Sequence, residues 1–184
     1  MKVKEVLEWA GIELGINDSV QTYLGGGSSD VGKLETERLL TAYNLVENEL
    51  ALDYFALLAK ETFENADGAI AFTSFANDPV QVLSVESVEK GEDVAFSIYI
   101  DHLEVKGKVV VAYRYAPKTK DVEDDCEIAE RVTKHMLVFG VVANYLASVG
   151  EYGQASAWEK KYKRAIVLAQ GISKSKRIAS RSWV

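Results

Sequence analysis

The chain has 184 residues, 48% of them apolar and 27% charged, which is enough to bury one substantial core and too rich in apolar side chains for a disordered protein. A single cysteine, Cys126, excludes an internal disulfide framework and fits a reducing compartment. The net charge of −7 hides a segregation: residues 160–184 carry eight Lys and Arg and no acid, a balance of +8, whereas residues 1–159 stand at −15. A cationic end of this kind suits an anionic surface on a partner.

In chain order, Val3, Val6, Leu7 and Ala10 fit one face of a short helix that Gly11 would end. Residues 15–33 are rich in Gly, Ser and Asp and read as an irregular loop anchored by Val20 to Leu24. Within it, Gly27 to Lys33 matches the spacing of a phosphate-binding loop. Leu34 follows where Ser or Thr should hold magnesium, and no apolar strand precedes it, so nucleotide binding is a remote alternative.

The stretch Leu34 to Phe63 contains neither Gly nor Pro and predicts a long helix, with Leu39, Tyr43, Val46, Leu50, Tyr54 and Leu57 on one face. Leu40, Leu52 and Phe55 broaden its apolar sector and are candidates for a contact between subunits. From residue 69 to Pro117 the period changes to two, with turn signals at 77–79, 89–92 and 106–107. Four strands in an antiparallel meander are expected there, and Tyr113 and Tyr115 on the last of them read as a core or interface face.

Helical period then returns. A helix from about 123 to Val149 would carry Asp121 to Asp125 near its positive end, and Gly150 would separate it from a second helix at 152–169, completing a helical hairpin. Trp158 and Tyr162 are read as core of that hairpin. Residues 171–184 show no periodicity and form a basic arm, in which Lys174, Lys176, Arg177, Arg181 and Trp183 are the candidate partner-binding residues. The expected fold is α+β: an antiparallel helical bundle from residues 1–64 and 118–170, an inserted β-subdomain at 65–117, and the arm.

Chemistry has little to stand on. His102 and His135 fall in different elements, Cys126 stands among acids at an expected helix start, and no ligand spacing for zinc or calcium occurs. No catalytic residue, metal or cofactor is assigned, and no apolar run is long enough to span a membrane.

The chain resembles head–tail connector, or adaptor, proteins of tailed phages. The resemblance rests on YNLVENEL at Tyr43 to Leu50, YRYAP at Tyr113 to Pro117, FGVVANY at Phe139 to Tyr145, AWEKKY at Ala157 to Tyr162, and the terminal RSW at Arg181 to Trp183. It implies a virion protein at the neck, made in the host cytoplasm, that forms a ring of twelve copies. It further implies that the ring sits between the portal protein and a downstream tail or neck protein, grips the portal through its C-terminal arm, and passes DNA without sequence-specific binding. Another virion ring component, such as a tail terminator or tail-tube protein, is the nearest alternative.

Overall fold

The computed structural model describes residues 1–65 and 68–173. The arm residues Lys174, Lys176, Arg177, Arg181 and Trp183 lie outside this range. The fold is α+β, with five α-helices and two three-stranded antiparallel sheets among the described residues. The chain divides into two compact units. One comprises Met1–Glu47 with the described residues from Thr119 onward, and the other is Asn48–Lys118. Among the described residues, no helix is long and apolar enough to cross a membrane.

The first unit begins with α1 (Val3–Leu14), which buries Val3, Val6, Leu7 and Ala10 as its periodicity requires. It runs one turn past Gly11. Gly15 ends it at φ 72°, and the bonds Ile16 N to Gly11 O and Gly15 N to Ile12 O form a Schellman motif. The expected loop at 15–33 is in part a helix, α2 (Asn17–Leu24), held by the buried Val20. Ser29 then caps α3 (Asp30–Glu49), its Oγ accepting from Gly32 N at 3.0 Å. A Cβ at Gly32 would sit 2.3 Å from Ser19 O, so this glycine is what lets α2 and α3 pass so close.

The 34–63 helix expected from the sequence is not one element. After α3 a single π-helical turn, Leu50–Tyr54, closes through Phe55 N to Leu50 O, and the chain then extends into β1 (Leu57–Asn65). Leu57, Ala59, Glu61 and Phe63 are half-buried while Leu58, Lys60, Thr62 and Glu64 are exposed. That is the alternation of a strand lying on a core. Residues 48–64 therefore belong with the sheets, and the unit boundary falls near residue 48 rather than 65.

Nor do the strands form a four-stranded meander. β2 (Ala69–Ala71), β4 (Ser97–Ile98) and β5 (His102–Glu104) make one sheet in the order β2-β5-β4. β1, β3 (Pro79–Ser87) and β6 (Gly107–Tyr115) make the other, with β6 in the centre. β1 pairs with β6 without interruption, from Leu57 opposite Tyr115 to Asn65 opposite Gly107. β3 pairs with the other side of β6 through two register shifts, at Pro79/Gln81 and Val82/Ser84. The Lys106-Gly107 step, read as a hairpin turn, instead carries the chain from one sheet to the other, with Gly107 at φ 94°. Ile70, Phe75, Val85, Leu103, Val105, Val109, Val111 and Tyr113 form the core of this unit, drawn from both sheets. Phe75 meets Tyr113 edge-on at 4.9 Å and Phe63 at 4.6 Å.

Back in the first unit, the helix expected from 123 starts only at Lys134. α4 (Lys134–Ser148) is capped by Thr133, whose Oγ1 accepts from Met136 N. The delay has a physical cause. The backbone of residues 122–126 is bonded to the start of the chain: Val3 N to Asp124 O, Lys4 N to Val122 O and Cys126 N to Met1 O, each 3.0 Å. Peptide groups committed in this way cannot also close a helical ladder. Lys2 pairs with Asp125 at 2.9 Å and Lys4 with Glu123 at 3.6 Å, so these acids face lysines rather than a helix dipole. Gly150, at φ 87°, leads into α5 (Tyr152–Ser173), which packs on α4. A Cβ at Gly140 of α4 would lie 2.8 Å from Val46 of α3 and 3.0 Å from Tyr162 of α5, so the three helices meet closely at this glycine.

Candidate functional site

The residues with chemical potential are dispersed. His102 lies in β5, its Nδ1 2.7 Å from Asp101 Oδ1. His135 stands at the start of α4, edge-on to Trp9 at 5.6 Å and tilted against Phe139 at 6.2 Å. Among the described residues no three His, Cys, Asp or Glu side chains are grouped to hold a metal ion. Cys126 is buried and, because α4 begins eight residues later, it does not stand at a helix N-terminus. Burial pushes its thiol up to about 11, which suppresses the reactive thiolate. The Gly27–Lys33 segment follows a helix rather than a strand. Lys33 lies 3.9 Å from Glu37, one helical turn on.

A buried polar joint lies between α3 and the segment 120–127. Tyr43 and Glu47, one turn apart on α3, are both fully buried. Glu47 Oε1 accepts from Glu127 N at 2.7 Å, whereas its Oε2 and the Tyr43 hydroxyl have no protein partner. Burial raises the Glu47 carboxyl above its ordinary range, although the Glu127 N–H and the nearby Lys120 oppose this. Tyr43 is likewise held neutral by burial. Lys120, itself buried, donates to Glu127, and its backbone N–H and C=O are both bonded to the Asn44 amide. Every one of these contacts joins one part of the chain to another. The joint is a fastening within the helical unit.

Exposed apolar groups are the more informative feature. On the first unit, a groove of about 240 Å³ runs between α3 and α4, lined by Leu34, Arg38, Ala42, Leu45, Asn144 and Ser148. Leu34 and Leu45 are about half exposed. Along α5, Tyr152, Val167 and Leu168 also face outward. Tyr162 is buried, as expected, while Trp158 is half-buried beneath the Lys161 ammonium, 3.6 Å from its ring centroid. On the second unit, Ile98, Tyr99 and Ile100 project from the β4–β5 hairpin, and Ile100 is wholly exposed at 102%.

The five residues expected at a subunit contact differ in exposure. Tyr113 is fully buried and donates to Glu61, and Phe55 is buried as well, so neither offers surface; Leu40, Leu52 and Tyr115 are half-buried. Sequence reading missed both the groove and the hairpin. The hairpin had a local signal in Asp101, a turn residue inside an apolar run. The groove had none, because it exists only where Asn144 and Ser148 of α4 come beside α3.

No protein-family model matches the chain, and no curated protein matches it significantly.

Proposed function

We propose that the chain is a structural subunit: a head–tail connector of a tailed phage that forms a ring at the virion neck. In this reading the basic end of the chain docks to the portal protein, a downstream tail or neck protein binds the opposite side, and DNA passes through the lumen. The observation that carries the reading is the charge segregation, −15 over residues 1–159 against +8 over residues 160–184. An acidic body denies phosphates the contacts on which non-specific DNA binding depends, while a cationic end supplies attraction to a second protein. Half-exposed Leu34 and Leu45 on the helical unit, and the Ile98–Ile100 tip on the sheet unit, supply the unlike surfaces that a heterologous ring contact needs. The twelve-fold count and the bundle-type packing of the helical unit come from the resemblance.

The test is native mass measurement of the purified protein, alone and mixed with its portal protein, before and after removal of residues 174–184, a cut that spares α5. The reading expects a closed oligomer and loss of portal docking on truncation, with the circular dichroism spectrum kept. Equal docking by the truncated and full chains overturns the role of the basic end.

One observation favours a second reading as a tail terminator or tail-tube protein. β1 pairs over nine residues without a break and has no strand on its outer side among the described residues, which is an edge that strand-to-strand ring contacts would use. Proline substitutions along β1 at outward-directed amides distinguish the two, because they prevent ring closure only in the second.

A further inference from the structure

We infer that the segment 119–133 is a pH-governed latch on the helical unit, closed while Glu47 is protonated and opened more often once Glu47 ionises. The inference goes beyond the connector reading and does not depend on it.

The latch is held by contacts it makes with other parts of the chain. Among the described residues, those between Thr119 and Thr133 form no α-helix or strand, only a bridge from Asp125 to Lys2. A stretch with no ladder of its own opens at lower cost than the helices around it. Asn44 holds it at Lys120, and Glu47 Oε1 holds it at Glu127 N, 2.7 Å away. The chain start holds it through Val3 N, Lys4 N and Met1 O. Val3 and Lys4 lie in the first turn of α1, whose N–H groups have no partner within the helix, so the closed segment also caps α1.

Glu47 is the fastening that can gain a charge inside the closed joint. It is 1% exposed, and its Oε2 has no hydrogen-bond partner among the described residues. The titratable groups that face it are Tyr43 on α3 and Lys120, Cys126 and Glu127 on the segment. Tyr43 and Cys126 are kept neutral by burial, Glu127 is a second acid, and Lys120 is already committed to Glu127. The Glu127 N–H, the Cys126 thiol and Lys120 favour the charged form of Glu47, and burial outweighs them. Ionisation therefore penalises the closed joint, and the penalty is relieved when the segment lifts from α3 and water reaches the carboxylate. The same movement uncovers Cys126, which is 6% exposed in the closed joint.

Cys126 is the chain's one cysteine, so a thiol reagent reads opening at this place. The labelling rate of the full chain is divided by that of Glu47→Gln at each pH from about 4 to 8, which removes the thiol's own titration. The ratio is expected to climb by up to about tenfold per pH unit above 4.5, and to level off once the folded carboxyl has ionised. Hydrogen exchange over the same range should show residues 1–4 and 119–133 quickening relative to Glu47→Gln, with α4 and α5 unchanged. A ratio that stays flat overturns the latch. A ratio that climbs while α4 and α5 quicken equally overturns it too, because Glu47 would then govern the whole unit. Should Glu47→Gln fail to fold, exchange in the wild type decides, after correction for the intrinsic pH dependence of amide exchange. Segment 119–133 rising against α5 supports the latch, and the two moving in parallel overturns it. None of these outcomes touches portal docking, so the latch and the connector reading fail separately.

Discussion

Asn44 holds both backbone polar groups of Lys120: its Oδ1 accepts from Lys120 N at 2.7 Å and its Nδ2 donates to Lys120 O at 3.1 Å. This is how a strand neighbour would satisfy the N–H and C=O of one residue, performed here by one side chain across 76 residues of sequence. Asn44→Ala leaves the Lys120 N–H and carbonyl unpaired in a partly buried place, at about 1–3 kcal/mol. The denaturation midpoint should fall, and amide exchange across residues 120–127 should quicken more than in α5. Uniform quickening throughout the helical unit would mean that Asn44 acts on the unit as a whole rather than on this segment.

Two glycines in neighbouring helices should respond in opposite ways to alanine. At Gly140 the added methyl would stand 2.8 Å from Val46 and 3.0 Å from Tyr162, and such overpacking costs about 1–3 kcal/mol. At Gly153 nothing lies within 4 Å, so the helix propensity gained, up to about 1 kcal/mol, is retained. Thermal unfolding should therefore rank Gly153→Ala at or above the wild type, with Gly140→Ala below it. A stabilised Gly140→Ala would refute the close packing described.

The parts of the fold legible in the sequence are those decided locally. Gly150 stops a helix, Gly91 turns the chain before β4, and Val20 anchors its segment, all from properties of the residue itself, whereas the first helix passes the expected stop at Gly11 and ends at Gly15. What failed is decided at a distance. Residues 57–63 satisfy a helical and a strand period at once, since Leu50, Tyr54 and Leu57 step by three and four while Leu57, Ala59 and Phe63 alternate. Only the pairing with β6, some 50 residues later, selects the strand. The acids at 121–125 carry the composition of a helix start, yet their peptide groups are claimed by residues 1–4. For the candidate site, exposure of Leu45 could be suspected from its place on α3, whereas the groove beside it waits on α4.

Glu47 should leave a pH signature. Its folded carboxyl titrates above the ordinary value of 4.5, so the folded state holds the proton more tightly than the unfolded one. Its contribution to stability is thus complete below 4.5 and is lost as pH rises from there through the raised value. Glu47→Gln keeps an acceptor for Glu127 N and cannot ionise, so its stability relative to wild type should improve as pH climbs from 4 to 8. Glu47→Ala removes the acceptor and should cost about 1–3 kcal/mol throughout. A Gln variant that parallels the wild type at every pH would show that Glu47 titrates normally.

Lys33 is exposed and lies within reach of Glu37. The glycines around it serve helix passage, with Gly32 clearing Ser19. Equilibrium binding of ATP with magnesium should be absent at millimolar concentration, and Lys33→Ala should leave that result and the stability within about 0.5 kcal/mol of wild type. Saturable ATP binding lost in Lys33→Ala would restore the phosphate-loop reading.

The helical unit is interrupted in the chain by the whole of Asn48–Lys118, and that sets an order in time. α1 to α3 leave the ribosome first, with Tyr43, Val46 and Glu47 turned toward partners that have not been made. At about 5–20 residues per second, the 71 residues from 48 to 118 occupy roughly 4–14 s of synthesis. During that interval the sheet unit, whose core comes wholly from its own residues, can close. The last helices then arrive at a half-built unit whose apolar face has been exposed for seconds, and in a crowded polysome the nearest alternative cover is the same face of the next nascent chain.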